Sequence, residues 1–153
     1  MIKVDVILDD NSWSKRIKNE KLFFNQICKS FPKKYKFKNK KIFFSLLLSN
    51  SRVIKKLNFK FRKKNKSTDI LSFPLENIKE LKQNCYLGDI IINYDLINKP
   101  KKQSNNLFKN KVTKIFIHGF LHLLGFNHIK FNDFKKMEKE EEKIYKAVTK
   151  KIN

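Results

Sequence analysis

At 153 residues and 41% hydrophobic, the chain can bury one ordinary core without staples, and it reads as a single domain over residues 1–153. Its formal charge of +22, from 36 basic and 14 acidic residues, is far beyond what solubility requires and would draw in a polyanion, with an RNA or DNA strand the expected partner. An AT-rich genome would also impose this Lys, Asn, Ile and Phe usage, with Arg only at 16, 52 and 62, so charge alone decides little. Cys28 and Cys85 sit singly with no CxxC spacing, which excludes a disulfide-dense secreted scaffold and leaves two reduced structural thiols.

Ile2, Val4, Val6 and Leu8 alternate with polar residues, the pattern of a half-buried strand. This N-terminus lacks the charged and apolar regions of a signal peptide, so a cytoplasmic protein is expected. Trp13, Ile17, Phe24 and Ile27 predict a helix from Ser12 to about Phe31, with Asn11 or Ser12 as cap and Pro32 at the exit. The apolar run Ile42–Leu48 is too short to span a membrane and reads as a buried central strand; no membrane partner is expected. Ser49, Asn50 and Ser51 then offer caps for a helix through Leu57, followed by a basic loop from Lys60 to Lys66. Asp69–Phe73, ended by Pro74, and Leu87–Asn93 are further strands. After a loop through Asn106, Leu107–Leu124 predicts a buried helix, and Phe131, Phe134, Met137, Ile144, Tyr145 and Val148 predict a last amphipathic one. Strands interleaved with helices give an α/β fold of mixed α+β character: a small central, mostly four-stranded sheet flanked by about five helices.

All 3 histidines lie in one stretch, His118-Gly-Phe-Leu-His122-Leu-Leu-Gly125-Phe-Asn-His128. On a helix His118 and His122 stand one turn apart on the same face, and Gly125 permits a left-handed helix end that brings His128 back toward them. Three neutral nitrogens with one open position is the donor set of a catalytic zinc, one ion per chain. Three buried imidazoles without partners would be costly, which argues against an ordinary core role. The spacing also occurs in metzincin proteases, but those need a Glu after the first His as general base, and here that position is Gly119. Gly119 is expected instead to leave room beside the metal.

The stretch His118–His128 resembles the signature of the YbeY proteins, close to H-G-x-L-H-L-x-G-Y/F-D-H. Leu57-Asn-Phe-Lys-Phe-Arg62, Ser67-Thr-Asp-Ile-Leu-Ser-Phe-Pro74 and Leu87-Gly-Asp-Ile90 look like that family's other characteristic stretches, in the same order. The resemblance implies a single-strand-specific endoribonuclease that takes part in ribosomal RNA maturation and ribosome quality control, with single-stranded RNA as substrate and the ribosomal subunit or its associated proteins as further partners. One departure is Asn127, where the family usually has Asp; if that Asp orients a ligand by accepting its hydrogen bond, Asn can still accept one but adds no negative charge, which is expected to lower metal affinity.

Zinc lowers the pKa of a water from 15.7 to about 7, so the missing Glu is no obstacle. Arg62, which matches an arginine that the resemblance implicates, is the candidate to meet negative charge on the phosphoryl oxygens. Asp89 is the candidate to orient Arg62 or a metal ligand, and Lys60, Lys63 and Lys64 are candidate contacts to the phosphate backbone. Thr68, Ser72 and Glu141 are better explained as structural or solvent-facing groups. Two other readings stand beside the leading one: a non-catalytic ribosome-associated RNA-binding factor with a structural metal, and a metal hydrolase of another ester or amide.

Overall fold

The computed structural model describes residues 1–75 and 81–152. Strands β1 (Ile2–Leu8), β2 (Lys41–Ser49), β3 (Ile70–Pro74) and β4 (Asn84–Asn93) form one sheet in the order β1-β2-β4-β3. The first three of these neighbours run parallel, and β3 closes the edge antiparallel to β4. Pro74, which has no amide hydrogen to give, is the last residue of that edge strand, a position where a ladder tolerates it.

The helices are α1 (Glu20–Lys29), α2 (Ser51–Arg62), α3 (Tyr94–Ile97), α4 (Asn105–Leu123) and α5 (Phe131–Ile152). Alternation along the strands sends Val4, Phe44, Leu46, Ile90 and Ile92 to one face, where they pack with Phe24, Ile27, Phe116, Phe120 and Ile144 of α1, α4 and α5. Phe44 and Phe120 stack at 5.7 Å between centroids, and Phe31 lies 4.9 Å from Phe120. This aromatic column fixes the rotation of α4; truncating a ring such as Phe116 to Ala would cost about 3–5 kcal/mol. The other face buries Leu71 and Ile91 beneath Ile54 of α2. β4 is thus covered on both sides, which is why Ile90-Ile91-Ile92 is apolar without alternation.

A register shift in the β2–β4 pairing falls between Phe43 and Ser45, opposite Leu87 and Gly88 of β4. Gly88 has φ +131, and a Cβ there would lie 2.1 Å from the Phe73 carbonyl oxygen, so this bulge requires glycine. The extra residue puts Leu87 and Ile90 on the same face and turns Asp89 out to solvent.

Several expected boundaries are corrected. The first helix breaks in two: a 3-10 turn over Asn11–Lys15, capped by the Asp10 carboxylate accepting from Ser12 N, and α1, capped by Asn19 rather than by Asn11 or Ser12. The cause is a second cap in mid-segment, reinforced by Arg16, whose guanidinium donates to Gln103 O, Lys101 O, Asn98 Oδ1 and Asn105 Oδ1. α2, capped by Asn50, runs past Leu57 to Arg62, so Lys60 and Arg62 sit on its last turn and not in a loop. α4 starts at Asn105, two residues early, because Ser104 Oγ accepts from Leu107 N. Phe131 and Phe134 are exposed, not part of the buried stripe of α5, which is carried by Met137, Ile144 and Val148. No described helix is long and apolar enough to cross a membrane.

Candidate active site

α4 ends as the sequence anticipates. Gly125 adopts φ +92, Gly125 N donates to His122 O at 3.0 Å, and Phe126 N donates to Leu121 O at 3.1 Å. This is a Schellman turn, in which a left-handed residue after the helix lets two orphan carbonyls be satisfied. It folds the following chain back over the last turn, and the nitrogen ligand atoms of His118, His122 and His128 come within 4.8 Å of one another.

The tautomers follow from the partners. His122 Nδ1 lies 2.9 Å from the Phe126 carbonyl oxygen, which can only accept, so that nitrogen carries a proton and Nε2 is bare in the neutral ring. His118 Nδ1 lies 2.5 Å from Glu141 Oε1 on α5, an acceptor of the same kind for an ionised carboxylate. The Nε2 atoms of the two rings face each other at 3.0 Å. Two bare nitrogens at that distance would repel, so a cation belongs between them, either a proton or a metal ion. Two ligands of a tetrahedral zinc at 2.0–2.1 Å would stand roughly 3.3 Å apart, so the pair needs only to open by a few tenths of an ångström to fit one. Burial, then the neighbouring His118, hold the His122 pKa below its ordinary value, which favours the neutral imidazole a metal needs. His128 is exposed, leaving the side of the cluster away from the core open.

The histidines line a cavity of about 580 Å³ together with Arg62, Thr68, Asp69 and Ser72. Arg62 reaches it from the end of α2 over the β3 edge: its Nη2 donates to Ser72 O at 3.2 Å, and its guanidinium carbon lies 5.9 Å from the centre of the Phe73 ring. Lys60, Lys63 and Lys64 are exposed at the same helix end and lie outside the lining of the cavity. Asp89 is elsewhere. It faces away from α4, its carboxylate accepts from Tyr86 Oη at 2.5 Å, and no hydrogen bond joins it to Arg62 or to a histidine.

Two expectations change. The room at Gly119 is filled by the sheet: a Cβ there would lie 2.7 Å from Ile70 Cδ1 and 3.2 Å from Ile90, so the glycine lets α4 press against β3 and β4. Glu141, read from sequence as a solvent-facing helix carboxylate, is the partner of His118. Its place in the apolar stripe of the last helix was the available signal, but the pairing depends on how α5 packs on α4. Asn127 lines the cavity and accepts from Ile129 N at 3.4 Å, a local turn contact.

Converging imidazoles that could hold a metal ion, beside a guanidinium in an open cleft of an α/β fold, suit a hydrolase of an anionic substrate. Comparison with known proteins agrees. A family model described as Endoribonuclease YbeY matches residues 7–149. An "Endoribonuclease YbeY" of Pelagibacter ubique (strain HTCC1062) is 60% identical over 152 residues, covering 99% of each chain. Another of Ehrlichia canis (strain Jake) is 32% identical over 144 residues, 94% of this chain and 90% of that one. The solution structure of TM1509 from Thermotoga maritima superposes with a TM-score of 0.57 at 26% identity, over 97% of this chain and 89% of that one. The chain belongs to the Endoribonuclease YbeY family, and with it to the enzymes that hydrolyse phosphodiester bonds.

Proposed function

We propose that residues 1–153 work as one domain, a zinc-dependent, single-strand-specific endoribonuclease of the cytoplasm that processes ribosomal RNA. The observation that carries the metal reading is the convergence of the three ring nitrogens within 4.8 Å, with the His118 and His122 Nε2 atoms facing at 3.0 Å and an acceptor behind each of those rings at Nδ1. The substrate class rests on the family and on the names of its members. An all-imidazole donor set suits zinc, copper, iron or nickel rather than magnesium or calcium, and availability favours zinc.

His118, His122 and His128 would hold the ion through their ring nitrogens. When bound it supplies Lewis acidity toward a phosphoryl oxygen and a more acidic water. Arg62 supplies the fixed cation of the site. Its hydrogen bond to Ser72 O, the one it makes among the described residues, anchors the fork, and its other donors can meet non-bridging oxygens, where charge builds during cleavage. Glu141 and the Phe126 carbonyl hold the His118 and His122 rings in the ligating tautomer, and Glu141 adds negative charge behind its ring. Lys60, Lys63 and Lys64 contribute through the field that draws a strand to the cleft. Asp89, whose carboxylate accepts from Tyr86 and makes no hydrogen bond to Arg62 or to a histidine, is given no part in this mechanism.

The test is cleavage of a labelled single-stranded RNA with and without a chelator, beside a His118→Ala/His122→Ala variant. Chelator-sensitive cuts that the variant lacks are expected, with a duplex of the same sequence left intact. Equal inactivity of both proteins, with equal RNA affinity, would overturn the enzyme reading in favour of a binding factor.

A further inference from the structure

Beyond the cleft at the histidines lies a second cavity of about 620 Å³, and the two share Thr68 and Asp69 as a common wall. The opposite wall of the second cavity is α4 itself, through Lys111, Lys114 and Ile115. Lys111, Lys114, His118 and His122 follow one another at intervals of three and four residues, so they form one stripe along the helix. One turn advances roughly 5–6 Å along the axis, the same order as the step between adjacent phosphates of an extended strand. Each ammonium is also held in place. Lys111 Nζ donates to Lys99 O at 3.0 Å, and Lys114 Nζ lies 5.0 Å from the centre of the Tyr145 ring on α5.

We propose that this stripe is a phosphate track: Lys114 and then Lys111 bind the backbone of the nucleotides next to the scissile linkage, along the groove that continues from the metal cleft. The proposal rests on the endoribonuclease reading above, since it places the substrate strand relative to that site. The groove also sets which way the strand faces. Asp69 on the shared wall repels phosphate, and its carboxylate and the Thr68 hydroxyl can accept from ribose hydroxyls, so phosphates lie on the α4 side and sugars on the β3 side. Leu96, Ile97 and Ile115 give the groove an apolar surface for the sugar and base faces. A strand long enough to fill both cavities therefore gains contacts that a fragment filling only the metal cleft does not.

The experiment compares the zinc-loaded wild type with Lys111→Ala/Lys114→Ala, using a trinucleotide and a strand of about twelve nucleotides. A Lys3→Ala/Lys41→Ala variant, which removes the same charge from exposed residues of β1 and β2, is the control. The track predicts a length-dependent loss: KM for the long strand rises roughly 3- to 30-fold, as expected for two exposed charge contacts, while kcat holds and the trinucleotide changes little. The salt slope for the long strand falls by about 1.4, that is 0.7 for each lost contact to a single strand. Equal losses in the control variant, or on the trinucleotide, would overturn the track. Fluorescence anisotropy with an uncleavable strand of the same length separates the two readings. If the wild type cut nothing, the catalytic proposal would fail, while a weaker grip by the Lys111/Lys114 variant alone would still sustain the track.

Discussion

Removing the carboxylate behind His118 should weaken metal binding without touching a ligand. Glu141 Oε1 lies 2.5 Å from His118 Nδ1, and both side chains are about one-third exposed, at 31% and 30%. A carboxylate accepting from a ligating imidazole fixes its tautomer and makes it a better donor, and losing such a partner costs about 10–100-fold in metal affinity. That is about 1.4–2.7 kcal/mol, with solvent exposure favouring the lower end. Glu141→Ala removes both the acceptor and the charge, whereas Glu141→Gln keeps an acceptor and should lose less. Zinc affinity is read by competition with a chromophoric chelator, and independently by thermal unfolding with zinc in excess. Because a ligand stabilises only the state it binds, the zinc-dependent rise in Tm should shrink by about 3–10 °C in Glu141→Ala for a domain of this size. Affinity and Tm shift unchanged in both variants would refute the reasoning, since the ligating tautomer of His118 would then owe nothing to Glu141.

Arg62→Ala should lower kcat by roughly 10²–10³, the usual cost of losing one fixed donor to developing charge, and Arg62→Lys should recover little because it lacks the fork that spans Ser72 O and a phosphate; single-turnover cleavage checks both. Gly119→Ala puts a methyl 2.7 Å from Ile70 Cδ1 and should cost about 1–3 kcal/mol in denaturant unfolding. Gly125→Ala meets nothing within 4 Å, so its cost of about 1 kcal/mol comes from φ +92 alone and should be accompanied by weaker zinc binding as His128 shifts. Glu140 accepts from Tyr35 Oη, and that bond, ahead of Lys143 and Lys34, holds its pKa below the ordinary value. A depressed carboxylate contributes stability that is fully present above its unfolded pKa and is lost as pH falls through the folded one. Tyr35→Phe should therefore destabilise by about 1 kcal/mol at neutral pH, and the gap to wild type should close on acidification, as followed by chemical unfolding at a series of pH values.

The sequence alone determined the strands, the metal candidates and the helix end between them. Those features are local: alternation in Ile2–Leu8, the apolar run of β2, and two histidines one turn apart with a glycine three residues on. Capping was only half legible, because Asp10 and Asn19 compete with Asn11 and Ser12 and the winner depends on what Arg16 reaches near residues 98–105. Tertiary structure decided which distant groups meet the histidines. Arg62 arrives because α2 runs five residues past Leu57 and ends at the β3 edge; Asp89 does not, because strand alternation beside Ile90, which packs toward α4, turns it to the opposite face. Glu141 lies 23 residues from His118 and meets it only through the packing of α5 on α4. Periodicity reports which side of an element is apolar, whereas side chains from separate elements converge only once those elements have been packed, and no local pattern carries that information.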